Sequence, residues 1–258
     1  MRFHGHEPVV FRQRLMEPFH VTDVDAVIHL AGLARVRESF QDPLSYYETN
    51  VAGTLNLLKA LRGQRFLLAS TAGVYRPDDA TLTEDSVREP SSPYAATKAA
   101  AEDLVAWAAR SGQIGAATLR LFNVAGGGDT DTTRVITRAV ATAAGQAPGM
   151  EVYGDGSAVR EFVHVRDVAA AFVTALDACE VGESAVYNVG GTSASVREVL
   201  ATVEEVTGRP VDVTWRAANP DEVTVQRADI SRLRSLGWEP AHSTLTEIVS
   251  DQWAAVAR

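Results

Sequence analysis

Two side chains at 94–98 have the types and the spacing needed for proton transfer. Tyr94 and Lys98 are four residues apart, and in a helix this spacing puts both side chains on one face. A lysine ammonium beside a phenol favours the phenolate, so we expect Lys98 to lower the tyrosine pKa from about 10. Such a tyrosine can act as a general acid and base near neutral pH. Thr71 follows an apolar run, so its hydroxyl is expected at a strand's carboxyl end, within reach of a substrate hydroxyl or carbonyl.

The elements that must position these residues alternate between strand and helix. The predicted strands are apolar and stand at 25–31, 66–69, 117–122, 185–189 and 211–215, with a further candidate at 8–11. The predicted helices follow helical spacing and stand at 43–61, 94–110, 132–144, 166–178, 195–207 and 244–256. This alternation predicts an α/β fold with a doubly wound, Rossmann-like parallel sheet, in which function lies at the carboxyl ends of the strands.

Composition restricts the class of partner. The chain has 258 residues, a formal net charge of −9 and one cysteine, Cys179. The negative charge disfavours a nucleic acid or an anionic membrane as partner. No apolar stretch approaches the roughly 20 residues of a membrane span, and the polar, basic segment 1–15 does not resemble a signal peptide. With a single cysteine, we expect a soluble cytoplasmic protein. His4 and His6 have no convincing further ligands near them, so no metal site is expected.

Nine short motifs occur in a fixed order along the chain. They are VIHLAG at 27–32, NVAGT at 50–54, STAGVY at 70–75, SPYAATK at 92–98, RLFN at 120–123, REFVHV at 160–165, YNVG at 187–190, ADIS at 228–231 and LGW at 236–238. Together they identify a resemblance to the extended short-chain dehydrogenase/reductases. Within these the chain is similar to the NAD-dependent epimerase/dehydratase group, whose type member is UDP-glucose 4-epimerase.

This resemblance implies a role for each matching residue. Tyr94 would transfer the proton, Lys98 would tune it and hold the nicotinamide ribose, and Thr71 would orient the sugar hydroxyl. The residues implied to contact a NAD or NADP cofactor are Leu30, Ala31, Gly32, Asn50, Lys98 and Phe122. The residues implied to contact a nucleotide-sugar substrate are Ser70, Asn123 and Arg160. Arg160 would lie near the diphosphate, because a guanidinium can pair phosphate oxygens bidentately.

The resemblance also implies a division of the chain. We expect a Rossmann-like core with the catalytic residues at 1–124, and a small α/β substrate-binding lobe at 125–258 whose helix near 166–178 returns to the core. The helices at 43–61 and 94–110 could form the interface of a homodimer, by analogy with the fold.

One part of the family pattern has no counterpart near the start of this chain. Members begin with a strand, a glycine-rich turn and a helix whose N-terminus binds pyrophosphate, and here the segment 5–11 aligns best with the second strand of the family. We therefore expect an N-terminally truncated sheet and weakened cofactor binding, unless a partner chain or a rearranged N-terminus fills the gap. A start codon assigned too far downstream would produce the same sequence.

The residues after Thr71 narrow the chemistry within the group. Its 4,6-dehydratases carry Asp-Glu directly after the threonine, whereas Ala72 and Gly73 stand here. This favours epimerase or ketoreductase chemistry over dehydration. One alternative is a cofactor-independent enzyme that uses Thr71, Tyr94 and Lys98 for proton transfer, elimination or cyclisation. The other is a non-catalytic accessory subunit.

Overall fold

The structure is a computed structural model that describes residues 5–17, 20–77, 80–218 and 223–256. Its strands are β1 (Ala26–His29), β2 (Arg65–Thr71), β3 (Ala80–Leu82), β4 (Gly115–Leu121), β5 (Asn123–Ala125), β6 (Met150–Tyr153), β7 (Val159–His164), β8 (Ser184–Val189), β9 (Thr192–Ser195), β10 (Val213–Arg216) and β11 (Gln226–Ala228). His4 lies outside the described residues. Within them no group of three or more His, Cys, Asp or Glu side chains could hold a metal ion, and no helix is long and apolar enough to cross a membrane.

The helices cover the predicted segments and add short ones. They are α1 (Val36–Gln41), α2 (Pro43–Tyr46), α3 (Gly53–Lys59), α4 (Pro93–Arg110), α5 (Val135–Ala143), α6 (Val165–Asp177), α7 (Val196–Thr207), α8 (Ser231–Arg234) and α9 (Leu245–Val256). A π-helical segment, Tyr47–Ala52, joins α2 to α3, so the helix predicted at 43–61 is one continuous rod with an irregular centre. A 3-10 turn, Ala72–Val74, follows β2.

The main sheet is wholly parallel, with the strand order β1-β2-β4-β8. The connections between these strands run through helices, as a parallel sheet requires. The predicted α/β fold with a parallel sheet is therefore confirmed. The strand expected at 8–11 is wrong: these residues have no regular structure, and Val9 and Val10 are 68% and 78% exposed. Within the described residues β1 is paired only with β2, so it forms an edge of the sheet.

Both faces of the sheet are buried, and the side chains of β2 point alternately to one face and the other. Phe66 and Leu68 point to one face, where they pack with α3, and with Val105 on α4. Leu67 and Ala69 point to the other, where they pack with Phe172 and its neighbours on α6. Because successive side chains of a strand point to opposite faces, Ser70 must share the α4 face with Phe66 and Leu68.

The C-terminal half contributes to the main sheet and also builds a second core. Strand β5 pairs in parallel with β7, and β7 pairs antiparallel with β9. Helices α5, α7 and α9 bury Val140, Val199 and Ile248 against these strands. Strand β8 and helix α6, by contrast, belong to the main sheet and its core. The division of the chain at residue 124 stays a prediction.

Candidate active site

Thr71 ends β2 at the carboxyl edge of the main sheet. Its backbone is extended, and its Oγ1 accepts a hydrogen bond of 3.1 Å from the backbone N–H of Gly73, which fixes the turn that follows the strand. The hydroxyl therefore lies where the sheet opens. That is the edge at which parallel folds place their ligands.

Tyr94 is the second residue of α4, and the start of this helix is well defined. Pro93 occupies the first helical position, and the Ser92 hydroxyl accepts from the Ala95 N–H at 3.2 Å. This is a strong N-terminal signal, because proline suits a position without a helical hydrogen bond and serine satisfies a free N–H. The Tyr94 side chain lies beside that of Thr71, whose hydroxyl favours the phenolate. Its ring meets the ring of Tyr46 edge-on, with 6.4 Å between centroids.

Lys98 lies one turn further along α4 and is 6% exposed. Its Nζ donates a 2.9 Å hydrogen bond to the backbone oxygen of Ala69, two residues before Thr71. Burial lowers the pKa of Lys98 from 10.5 to about 8, although the Glu102 carboxylate favours the charged form. The structure therefore brings Thr71, Tyr94 and Lys98 together at the end of β2.

The pKa of Tyr94 differs from the sequence-based expectation. Burial raises the pKa of this phenol above its ordinary value, and the Thr71 hydroxyl and the charge of Arg134 offset that rise only partly. The expected lowering by Lys98 is wrong for this geometry. The Lys98 ammonium is bonded to the Ala69 carbonyl, and the desolvation of the phenolate outweighs nearby positive charge.

The loop after β1 forms the opposite wall of the site. Leu30 is 65% exposed, and Ala31 and Gly32 are also exposed. Gly32 has φ +153°, and a Cβ on it would lie 2.7 Å from Asn50 Oδ1 and 3.7 Å from Lys98 Nζ. A side chain here would therefore collide with Asn50 and crowd the lysine.

Asn50 holds this loop against α4. Its Oδ1 accepts from the Leu33 N–H at 2.8 Å, and its Nδ2 donates to the Leu33 carbonyl and to Thr97 Oγ1, each at 3.0 Å. The side chain is 2% exposed. Its contact with a cofactor stays a prediction, and the geometry gives it a positioning role.

The other residues predicted to bind cofactor or substrate are Phe122, Asn123 and Arg160, and they lie in different parts of the structure. Phe122 is 5% exposed and packs against Val74 and Tyr75. Asn123 and Arg160 lie on the paired strands β5 and β7, where Asn123 Nδ2 donates to the Glu161 carbonyl at 2.8 Å. Their binding roles stay predictions.

Ser70 is placed away from the mouth of the site. Its hydroxyl is buried and donates a 2.5 Å hydrogen bond to Glu102 Oε1 on α4. Because Ser70 faces α4, this placement argues against the direct substrate contact that the sequence suggested. Glu102 and its partner Arg120 are the buried residues that our sequence analysis missed. The sequence does contain a signal for Glu102, because this residue stands four positions after Lys98 and therefore lies on the same helix face.

The chain matches the family model described as "NAD dependent epimerase/dehydratase family" over residues 10–190. This range contains the whole constellation described above. The chain belongs to this family.

Relatives in the epimerase/dehydratase family cover most of the chain. The UDP-glucose 4-epimerase of Streptomyces lividans is 34% identical over 95% of this chain and 77% of its own length. That of Azospirillum brasilense is 38% identical over 88% and 71%. Among solved structures, RMD from Pseudomonas aeruginosa complexed with NADPH has a TM-score of 0.85 and 29% identity, covering 97% of this chain and 89% of its own. UDP-glucose 4-epimerase from Brucella ovis in complex with NAD has a TM-score of 0.84 and 32% identity, covering 90% and 78%.

The site of this family member fits one end of a nicotinamide dinucleotide. The buried Lys98 ammonium, the Tyr94 hydroxyl and the narrow loop at Gly32 suit the nicotinamide and its ribose. At the other end, the described residues before β1 form no strand and no helix, so no helix N-terminus stands there for a pyrophosphate. A cavity of about 770 Å³ lies between that segment and β1, lined by residues that include Val10, Phe11 and Leu57.

The lowered pKa of Lys98 has a consequence for stability. The unfolded chain holds the lysine proton to about pH 10.4, whereas the folded chain releases it near pH 8, so the unfolded state binds more protons between these values. The free energy of unfolding therefore rises with pH in this window. We expect wild type to gain about 2 kcal/mol relative to Lys98→Met between pH 7 and pH 9.5. Urea denaturation at both pH values measures this.

The control is Lys59→Met, which removes the exposed lysine of α3. This variant should follow the pH dependence of wild type. If the curves for Lys98→Met and wild type run parallel, the Lys98 pKa is not lowered.

Proposed function

We propose that this chain is a nucleotide-sugar epimerase in which Tyr94 transfers the proton of a sugar hydroxyl. The observation that carries the proposal is the convergence of Tyr94, Thr71 and Lys98 at the carboxyl end of β2. The curated relatives, which are UDP-glucose 4-epimerases, support a UDP-hexose as the first substrate to test.

The residues of the chain can perform both proton steps. With its pKa raised by burial, Tyr94 is a neutral phenol at neutral pH, and a neutral phenol can donate a proton to a keto oxygen. In the reverse step, the Tyr94 phenolate left by that donation accepts the proton of the sugar hydroxyl, and the nearby charge of Arg134 favours the phenolate. Thr71 Oγ1 can hydrogen-bond the same sugar oxygen and keep it in line with Tyr94.

We propose NAD or NADP as the cofactor, held at its nicotinamide end by Lys98 and by the loop Leu30, Ala31 and Gly32. When bound, it supplies the hydride acceptor and donor that epimerisation needs. Asn50 keeps the loop in place through its bonds to Leu33. The solved relatives that contain NAD or NADPH support this assignment.

A second candidate is an enzyme that uses the same three residues without a nicotinamide. It is favoured by one observation: Tyr94 and Thr71 lie beside each other at the open edge of the sheet, where they can act on a substrate oxygen. Proton transfer, elimination or cyclisation would then proceed on Thr71, Tyr94 and Lys98 alone.

Replacing the phenol hydroxyl tests the first proposal. Tyr94→Phe should lower kcat for the interconversion of UDP-glucose and UDP-galactose by about 10²- to 10⁴-fold, because general acid–base catalysis is lost. Tyr47→Phe removes a hydroxyl from a half-exposed tyrosine on the neighbouring helical rod and should leave kcat unchanged. Equal activity of Tyr94→Phe and wild type would exclude Tyr94 as the proton-transfer residue.

Calorimetry decides between the two candidates. The epimerase proposal requires the purified chain to bind NAD or NADP, with an affinity that falls at least about tenfold in Lys98→Met because a direct ribose contact is lost. The second candidate requires no binding up to millimolar cofactor, together with turnover of a substrate in its absence. If Lys98→Met binds the cofactor as tightly as wild type, the proposed contact between Lys98 and the nicotinamide ribose is wrong.

We also propose that the chain forms a homodimer through the rod 43–59 and α4. Three large side chains on these helices support the proposal, since Tyr47, Leu55 and Trp107 are 44%, 39% and 66% exposed. Light scattering should give about twice the monomer mass of 27.7 kDa, and Trp107→Glu should shift the mass toward the monomer. A monomeric wild type at micromolar concentration would contradict the proposal.

A further inference from the structure

A buried carboxylate lies directly behind the proposed catalytic residues. Glu102 is 4% exposed, and its oxygens accept from three side chains. Ser70 Oγ donates at 2.5 Å, Arg120 donates through Nε at 3.1 Å and through Nη2 at 2.7 Å, and Arg88 Nη1 donates at 3.3 Å. The carboxylate is therefore fully satisfied, as a buried charge must be to persist.

Three successive turns of α4 face the last three residues of β2. Tyr94 lies beside Thr71, Lys98 Nζ donates to the Ala69 carbonyl, and Glu102 accepts from Ser70. The three helix residues are four apart and share one face. The contact between Glu102 and Ser70 therefore holds α4 against β2 two turns away from Tyr94. It limits how far α4 can slide or rotate relative to the strand that carries Thr71.

Glu102 also provides the negative charge that acts on the Lys98 ammonium. Lys98 interacts electrostatically with Glu102 on its own helix and with His29 on β1, and Tyr94 stands one turn before it. His29 is neutral, because burial and the charge of Lys98 lower its pKa to about 4, and its Nε2 is 3.0 Å from Thr54 Oγ1. Arg120 on β4 and Arg88 before α4 add positive charge behind Glu102. Among the described residues, the Glu102 carboxylate is the charged group that favours the buried Lys98 ammonium.

We propose that Glu102, held by Arg120, is a positioning residue that keeps Lys98 in its ammonium form at neutral pH and holds Tyr94 against Thr71. The effect on Lys98 is a property of the folded chain alone. The effect on turnover rests on the proposed function, because it requires Tyr94 to be the acid and base.

The chain allows a direct test, because Lys59 and Lys98 are its only lysines. In the purified full chain labelled with [6-13C]lysine, two Cε signals are expected, and Lys59→Arg assigns them. The Lys98 signal of wild type should titrate near pH 8. In Glu102→Gln the midpoint should fall by about one pH unit or more, because the offsetting charge is lost. Glu102→Asp keeps the charge and should restore most of the shift.

Asp167→Asn is the matched control. Asp167 is a buried carboxylate at the start of α6 that accepts from Ser243 Oγ and from the N–H groups of Ala241 and His242. The substitution removes an equally buried charge and should leave the Lys98 midpoint unchanged. An unchanged midpoint in Glu102→Gln, or an equal shift in Asp167→Asn, overturns the proposal.

A milder variant covers the case in which Glu102→Gln does not fold. The Arg88 side chain is 35% exposed, and Arg88→Gln removes a positive charge beside Glu102. The Lys98 midpoint should then rise, and failure to rise overturns the proposal.

Activity gives a separate readout. Glu102→Gln should lower kcat about fivefold at pH 8 with little change in KM, because a midpoint one pH unit lower reduces the protonated fraction of Lys98 at that pH from about one half to about one tenth, and Glu102→Asp should recover part of the loss. If wild type shows no epimerase activity while the Lys98 midpoint shifts as expected, the proposed function fails and the charge coupling stands. If wild type is active and kcat is unaffected in Glu102→Gln, the positioning role fails.

Discussion

Strand β2 is paired along both edges and covered on both faces, and the positions of the surrounding elements follow from that burial. Its neighbours β1 and β4 satisfy its backbone, while α4 and α6 take its alternate side chains. A strand enclosed in this way must be apolar along its length and can carry polar groups only at its end. The sequence Phe66, Leu67, Leu68, Ala69 followed by Ser70 and Thr71 meets that condition.

The end of β2 divides the polar residues between two environments. Thr71 lies at the open edge with Tyr94, where a substrate oxygen can approach. Ser70, one residue earlier, faces α4 and enters the ionic cluster of Glu102 and Arg120. A single step along the strand thus separates a hydroxyl suited to chemistry from one that secures the helix. Lys98 links the two environments, because its ammonium contacts Ala69 of the same strand and is influenced by Glu102.

Periodicity was sufficient to predict the main elements, because α4, α6, α7 and the strands of the parallel sheet carry strong local signals. The Ser92–Pro93 cap, for example, marks the start of α4 to the residue. Short elements such as β9 and α8 lack such signals and depend on tertiary pairing. The prediction of a strand at 8–11 was wrong for a related reason. An apolar run forms a strand only where a neighbouring strand can pair with its backbone. The grouping of Thr71, Tyr94 and Lys98 followed from spacing, but the raised pKa of Tyr94 did not, because burial is a property of the fold.

The π-helical segment Tyr47–Ala52 carries Asn50, the residue that holds the loop at Gly32. A π-turn contains an additional residue compared with an α-turn, and each residue of an α-helix rotates the chain by about 100°. Deleting one residue here would let the rod run as a regular α-helix from α2 to α3 while rotating the faces of its two halves relative to each other. Insertions and deletions near this point are therefore constrained by the geometry of the cleft more than by helix formation. The π-helical segment has the number of residues that places Asn50 against the loop at Gly32.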